Sequence, residues 1–191
     1  MKKIAIIGAG ISGLFFANLL KNISEYDFTI FEKRTSIVIE DGYGIQLSVN
    51  SIKILNEIGF NNIDKNEIYN PKKINFINAK NDETICDLDI SKFNYGDNQY
   101  TTLKRSTLLK FLLNNIPKEK VKLNTELTNL TYENKLTLHF NKNYTEEFDY
   151  LIVSDGVFSK TKSKILNKEV KPKYFNSIAV RGNLKDYPKE D

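Results

Sequence analysis

The segment Gly8-Ala-Gly10-Ile-Ser-Gly13 constrains the fold of the chain more tightly than any other. It lies between a short apolar run, Lys3 to Ile7, and an apolar stretch, Ser12 to Asn22. The first run reads as a buried parallel strand. In the second, Leu14, Phe15, Phe16, Ala17, Leu19 and Leu20 surround most of a helical circumference, so the helix must be largely buried, as a helix against a sheet is. Phe28 to Glu32 is the next predicted strand and completes a strand–helix–strand unit of βαβ size. In such a unit Gly8 permits the tight turn. Gly10 lets the backbone approach a pyrophosphate, and Gly13 lets the helix pack closely on the strand. Ala9 and Ser12 complete the candidate turn. Its unpaired N–H groups, together with the helix dipole, favour negative charge.

Glu32 stands 19 residues after Gly13, at the end of the second strand. A carboxylate there can accept hydrogen bonds from an adenosine ribose, which points to a dinucleotide. The plainer alternative is a glycine-rich turn followed by a surface acid. Glu32 also argues against a 2′-phosphorylated dinucleotide, because like charges repel. Lys33 and Arg34 follow immediately and weaken that argument. Arg34 reads equally well as a contact to the adenosine and as a solvated charge.

Composition removes several other classes. The formal net charge is only +4 over 191 residues. The sole basic concentration runs from Lys160 to Lys173, with six lysines against Glu169, and reads as solvated surface, so no nucleic-acid partner is expected. One cysteine, Cys86, allows no internal disulfide and suits a reducing cytoplasm. Its alternating surroundings place it as a small core residue. The single histidine, His139, has no Cys/His cluster around it, so no metal is expected. Lys2 and Lys3 before the apolar residues 4–20 resemble a secretory leader, but glycines interrupt the run and no small-residue cleavage site follows.

Farther along, Asp41-Gly-Tyr-Gly44 is a turn before Ile45 to Leu47. Helices are predicted over Asn50 to Ile58 and Arg105 to Asn114. Lys73 to Ala79 and Glu83 to Ile90 form a predicted hairpin. Val121 to Leu123, Leu127 to Glu133, Lys135 to Phe140, Phe148 to Val153 and Tyr174 to Gly182 read as strands. Leu103 and Leu108 read as core.

Four segments in order resemble FAD-dependent aromatic-ring monooxygenases, the family of para-hydroxybenzoate hydroxylase and the ubiquinone-pathway hydroxylases. They are the glycine turn, Gly42-x-Gly44-Ile-x-Leu47-x-x-Asn50, Arg105-x-x-Leu108, and Asp149 to Lys162 around Asp155-Gly156. The resemblance implies that Arg105 reaches the flavin's phosphate region and that Asp155 serves FAD and NAD(P)H binding. It also implies that the Thr125 to Leu127 backbone lies near the adenine. In isolation, Arg105 reads as an exposed helix residue and Asp155 as a turn residue. Two positions depart from the family: Ser154 replaces its usual alanine and Lys162 its usual arginine, which loses the guanidinium fork. No later Gly-Asp segment follows Gly182, so the resemblance covers roughly the family's first half.

The expected fold is α/β, a Rossmann-type FAD-binding domain with a β-meander crossover over residues 1–70 and 98–170. Residues 71–97 and 171–191 are expected to form part of a substrate-domain sheet. The implied activity is hydroxylation of an aromatic or quinone-precursor ring, with FAD as cofactor, NAD(P)H as transient reductant, and a small aromatic substrate and oxygen as partners. A lipid quinone precursor would imply peripheral membrane contact. The catalytic residues are not assigned, since the implied reaction face belongs to the missing C-terminal half. Another flavoprotein oxidoreductase of prenyl-reductase type, and a non-catalytic FAD-binding fragment, remain open.

Overall fold

In the computed structural model, residues 1–37, 39 and 43–180 are described. Gly42, part of one family-like segment, and residues 181–191 lie outside them. The strands are β1 (Lys2–Ile7), β2 (Tyr26–Phe31), β3 (Gly44–Leu47), β4 (Ile68–Tyr69), β5 (Lys73–Ile77), β6 (Thr84–Asp89), β7 (Thr101–Lys104), β8 (Val121–Lys122), β9 (Leu127–Tyr132), β10 (Leu136–Phe140), β11 (Thr145–Phe148) and β12 (Tyr150–Val153). The helices are α1 (Ile11–Leu20), α2 (Val49–Asn56), α3 (Arg105–Asn114) and α4 (Lys160–Ile165).

The centre is a parallel sheet in the order β12-β1-β2-β8. Side chains alternate across a strand, and β1 shows both outcomes. Ile4 and Ile6 join a core with Leu14 and Ala17 of α1 and Leu108, Leu109 and Leu112 of α3. Ala5 and Ile7 face the other way, into a core with Phe31, Leu127, Leu138, Phe140 and Phe148. That second core lies under an antiparallel meander, β9-β10-β11. The architecture is therefore three layers: helices, parallel sheet, meander. It is α/β and Rossmann-like, as the βαβ pattern implies. Aromatic packing anchors the meander side. Phe31 stacks on Phe140 with centroids 4.3 Å apart and meets Phe148 edge-on at 5.7 Å. Each such pair is worth about 0.5–1.5 kcal/mol beyond its buried area.

Asn18 is fully buried in α1, and its Nδ2 donates to Leu14 O and Leu112 O, which ties α1 to α3. Leu103 and Leu108 are buried, as expected.

Several expectations need correction. Cys86 is exposed, not core. It lies on the β5–β6 hairpin, a two-stranded sheet paired with no other strand, so its alternating apolar face has no cover among the described residues. The run Phe148 to Val153 is two strands, not one. Phe148 ends β11 in the meander, and the chain then enters the parallel sheet as β12. Residues 174–180 form no strand, and Gly182 lies outside the described residues. β7, unread in the sequence, is the middle strand between β3 and β4.

Candidate functional site

A cleft of about 390 Å³ opens at the carboxyl ends of β1, β2 and β12. The sheet order puts β2 on one side of β1 and β12 on the other, so the chain's winding reverses beside β1. Ligands in open parallel sheets bind at such a switch point. Gly8, Ala9, Gly10, Glu32, Lys33, Arg34, Arg105, Leu127 and Asp155 all line this cleft. Ser12 and Gly13 are not among its lining residues; they sit in the first turn of α1.

The glycines divide their work as the sequence suggests. Gly8 has φ of +105°, the left-handed region that favours glycine, and a Cβ there would lie 2.5 Å from the Ser154 carbonyl oxygen. At Gly13 a Cβ would lie 2.0 Å from the Gly8 carbonyl oxygen, so this glycine lets α1 sit against the turn. At Gly10 a Cβ would meet nothing within 4 Å. Gly10 caps α1, whose first amides lack intrahelical acceptors. The turn thus presents open backbone donors at the cleft.

Glu32 is oriented by the backbone. Its Oε2 accepts from Ala9 N and its Oε1 from Arg34 N, each at 3.0 Å. Each oxygen keeps a further lone pair for a ligand. The 32–34 segment is bound along its length by the next loop, since Thr125 N donates to Glu32 O and Asn124 N to Arg34 O. This places Thr125, Glu126 and Leu127 at the cleft wall. Lys33 and Arg34 are exposed at the rim. Arg105 begins α3, half-buried, and its amide donates to Tyr43 O. The cleft is therefore lined by cations at Lys33, Arg34, Arg105 and Lys160 and by carboxylates at Glu32, Glu126 and Asp155, of which Lys160 and Glu126 pair with each other at 3.2 Å and Asp155 is engaged by Thr161. This donor set suits a ligand carrying both anionic and hydroxyl groups.

Ser154, the residue that departs from the family's alanine, closes the wall. Its Oγ donates to Ile7 O at 2.9 Å and lies 3.3 Å from Gly8 O, which fastens the end of β12 to the glycine turn. Lys162 is exposed in α4 and is not among the cleft's lining residues. Glu126, Lys160 and Thr161 also line the cleft, and no side-chain role for them was legible in the sequence. Glu126 is the neighbour of Leu127, and the other two fall inside the Asp149 to Lys162 segment, so only their positions in those stretches signalled them.

Behind the cleft wall, Lys122 Nζ lies 5.5 Å from the Phe31 ring centroid and 4.6 Å from that of Tyr144. Burial works against its charge, but hydrogen bonds to Tyr144 and Glu146 outweigh it, so its pKa stands above the ordinary lysine value. Burial, and then the Glu146 carboxylate, raise the Tyr144 phenol above its ordinary value. Among the described residues no His/Cys/Asp/Glu group could hold a metal ion, and no helix is long and apolar enough to cross a membrane.

Residues 6–38 match the model of the NAD(P)-binding Rossmann-like domain. Monooxygenase asqM of Emericella nidulans is 28% identical over 210 residues, which cover 99% of this chain and 46% of that protein. The 6-hydroxynicotinate 3-monooxygenase of Pseudomonas fluorescens is 27% identical, over 94% of this chain and 46% of its own length. The chain thus spans a little under half the length of these curated relatives. Among solved structures, 2,6-dihydroxypyridine-3-hydroxylase from Arthrobacter nicotinovorans superposes with a TM-score of 0.74 at 19% identity, over 91% of this chain and 41% of that one. Klebsiella pneumoniae HpxO R204Q complexed with FAD gives 0.73 at 21% identity, over 88% and 43%. The chain is similar to FAD-dependent monooxygenases over a portion that fits their N-terminal half, and it has their fold.

Proposed function

We propose that this chain is the N-terminal portion of an FAD-dependent monooxygenase and that its cleft holds the ADP half of the flavin cofactor. One observation carries the reading: Gly10, open where a Cβ would stand, and the backbone-held Glu32 carboxylate share one cleft at a parallel-sheet switch point. The residues present fit the group. The turn Gly8, Ala9, Gly10, Ser12 and Gly13 supplies helix N-terminal amides to the diphosphate. Glu32 accepts from the ribose hydroxyls. Lys33, Arg34 and Arg105 neutralise phosphate charge, and Leu127 gives the adenine an apolar wall. Asp155 orders the rim beside the diphosphate. A βαβ unit of this kind serves either NAD(P) or FAD, and the similarity to FAD-dependent monooxygenases supports FAD.

The chemistry supplied by the bound flavin is NAD(P)H-driven insertion of one oxygen atom of O₂ into an aromatic ring. This chain's residues bind and orient it. Residues 1–70 and 98–170 form the cofactor part. The β5–β6 hairpin, in residues 71–97, contributes to a substrate-facing sheet. The small aromatic substrate and oxygen are met with the rest of the protein. A single exposed cysteine suits a cytoplasmic setting.

Titration of the purified chain with FAD, followed by flavin fluorescence and competed with ADP, tests the assignment. Saturable binding that ADP displaces is expected, and Glu32→Ala should weaken it about tenfold, the scale of one charged hydrogen bond. Absence of binding, or an unchanged affinity in Glu32→Ala, refutes the assignment.

A further inference from the structure

The rim of the cleft between β12 and α4 is held by a clamp that neither the glycine turn nor Glu32 contributes to. Asp155 Oδ2 accepts from Thr161 Oγ1 at 2.8 Å and from Thr161 N at 3.2 Å. The other oxygen, Oδ1, is buried and has no partner. Thr161 itself is 2% exposed. A buried carboxylate oxygen without a donor costs free energy. The arrangement therefore depends on the two donors that Thr161 aims at Oδ2. Ser159 adds a parallel tie, its Oγ accepting from Lys162 N. The segment between these anchors carries Val157 and Phe158, 73% and 80% exposed, and both line the cleft. Their side chains have little packing to fix them, so the hydrogen bonds of the Asp155, Ser159 and Thr161 side chains, with the ion pair of Lys160 Nζ to Glu126 Oε1 at 3.2 Å, set where the rim lies.

We propose that Thr161 is a positioning residue: by clamping Asp155 it fixes the 155–161 rim, and through the rim it sets the cleft's affinity for an adenine dinucleotide. The inference rests on the proposed cofactor role of the cleft. Asp155 then acts through the shape of the rim, with Oδ2 committed to Thr161 and Oδ1 closed off from solvent.

The test measures FAD and ADP dissociation constants for the whole chain and its variants, each well below its own melting temperature. Thr161→Val keeps the size and the amide but removes the hydroxyl donor, and should weaken both ligands about tenfold, as loss of a charge-assisted hydrogen bond does. Thr161→Ser keeps the donor and should restore affinity to within about twofold. In an Asp155→Ala background, Thr161→Val should add nothing, because the clamp is already gone. A purely structural threonine would lower the melting temperature and leave the dissociation constants unmoved. Binding in wild type with equal affinity in Thr161→Val overturns the clamp and leaves the cofactor reading standing. Failure of wild type to bind overturns both. If Thr161→Val does not fold, hydrogen exchange of the wild-type chain decides. ADP should slow exchange of amides 156–161 at least tenfold, and unchanged rates overturn the proposal.

Discussion

Gly10 and Gly13 lie three residues apart in one turn, yet the structure assigns them opposite tasks, and alanine at each separates those tasks. In Gly13→Ala the new methyl would stand 2.0 Å from the Gly8 carbonyl oxygen and 2.8 Å from Ser154 Oγ. Neither can yield easily. The carbonyl is backbone, and Ser154 Oγ is tied to Ile7 O. Helix α1 must shift away from the turn, an overpacking strain of about 3 kcal/mol. Alanine's better helix propensity returns about 1 kcal/mol. The net loss is about 2 kcal/mol, a fall in Tm of about 4–8 °C for a chain of this size. In Gly10→Ala the methyl meets nothing within 4 Å, and φ of −81° suits any residue. Its cost is the poorer N-cap alone, at most about 1 kcal/mol. The same methyl stands where the diphosphate must approach, so FAD affinity should fall at least tenfold. Calorimetric Tm and the FAD dissociation constant, measured on both variants, check the contrast. Equal Tm losses in the two variants, or wild-type FAD affinity in Gly10→Ala, would refute the division of labour.

Two pH effects follow from residues outside the cleft. The Lys122 and Tyr144 pKa values are both raised in the fold, so their stabilisation is complete below the unfolded values near 10 and is lost as pH rises through the folded ones. Lys122 is 40% exposed, so screening keeps the effect under about 1 kcal/mol. Tm measured from pH 8 to 12 should fall less steeply in Lys122→Met than in wild type, and identical slopes would count against the cluster. Asp149 is held below the usual carboxylate range, first by the Lys3 amide donating to Oδ2 at 2.7 Å and with help from Lys2. Its contribution is present above its unfolded pKa and is lost as pH falls through the lower folded one. Urea midpoints between pH 2 and 6 should therefore drop less steeply in Asp149→Asn, and a slope matching wild type would remove Asp149 from the acid response.

The helix Arg105–Asn114 and the βαβ opening were legible in the sequence because their signals are local: apolar spacing, a glycine turn and an acid at a strand end. The misreadings share one physical origin, which is that periodicity does not state what covers a face. Cys86 alternates with polar neighbours as a half-buried strand residue does. The strand's apolar face, however, belongs to a hairpin with no sheet over it among the described residues, and Cys86 is exposed. Phe148 to Val153 is continuously apolar apart from Asp149, yet it serves two sheets. The change of partner occurs at Asp149, whose carboxylate takes the Lys3 amide. β7 escaped because Thr101 to Lys104 is too short to show a period, and its place between β3 and β4 is a long-range fact.

The cleft shows why a site of this kind is read in pieces. Its walls come from residues near positions 8–10, 32–37, 105–109, 125–127 and 154–161, and no local pattern gives the distance between any two of these groups. Parallel strands supply that distance. Because β1, β2 and β12 run in the same direction, their carboxyl ends must lie side by side, and whatever follows each strand meets at one edge. The glycine turn follows β1, Glu32 follows β2 and Asp155 follows β12. Once the sheet order is known, these three are neighbours by necessity. Ser154 shows the same dependence on that order. In sequence it is a departure from the family's alanine with no evident purpose. In the sheet its hydroxyl reaches Ile7 O across the pair of strands, and the substitution becomes a tie between the two strand ends that frame the cleft.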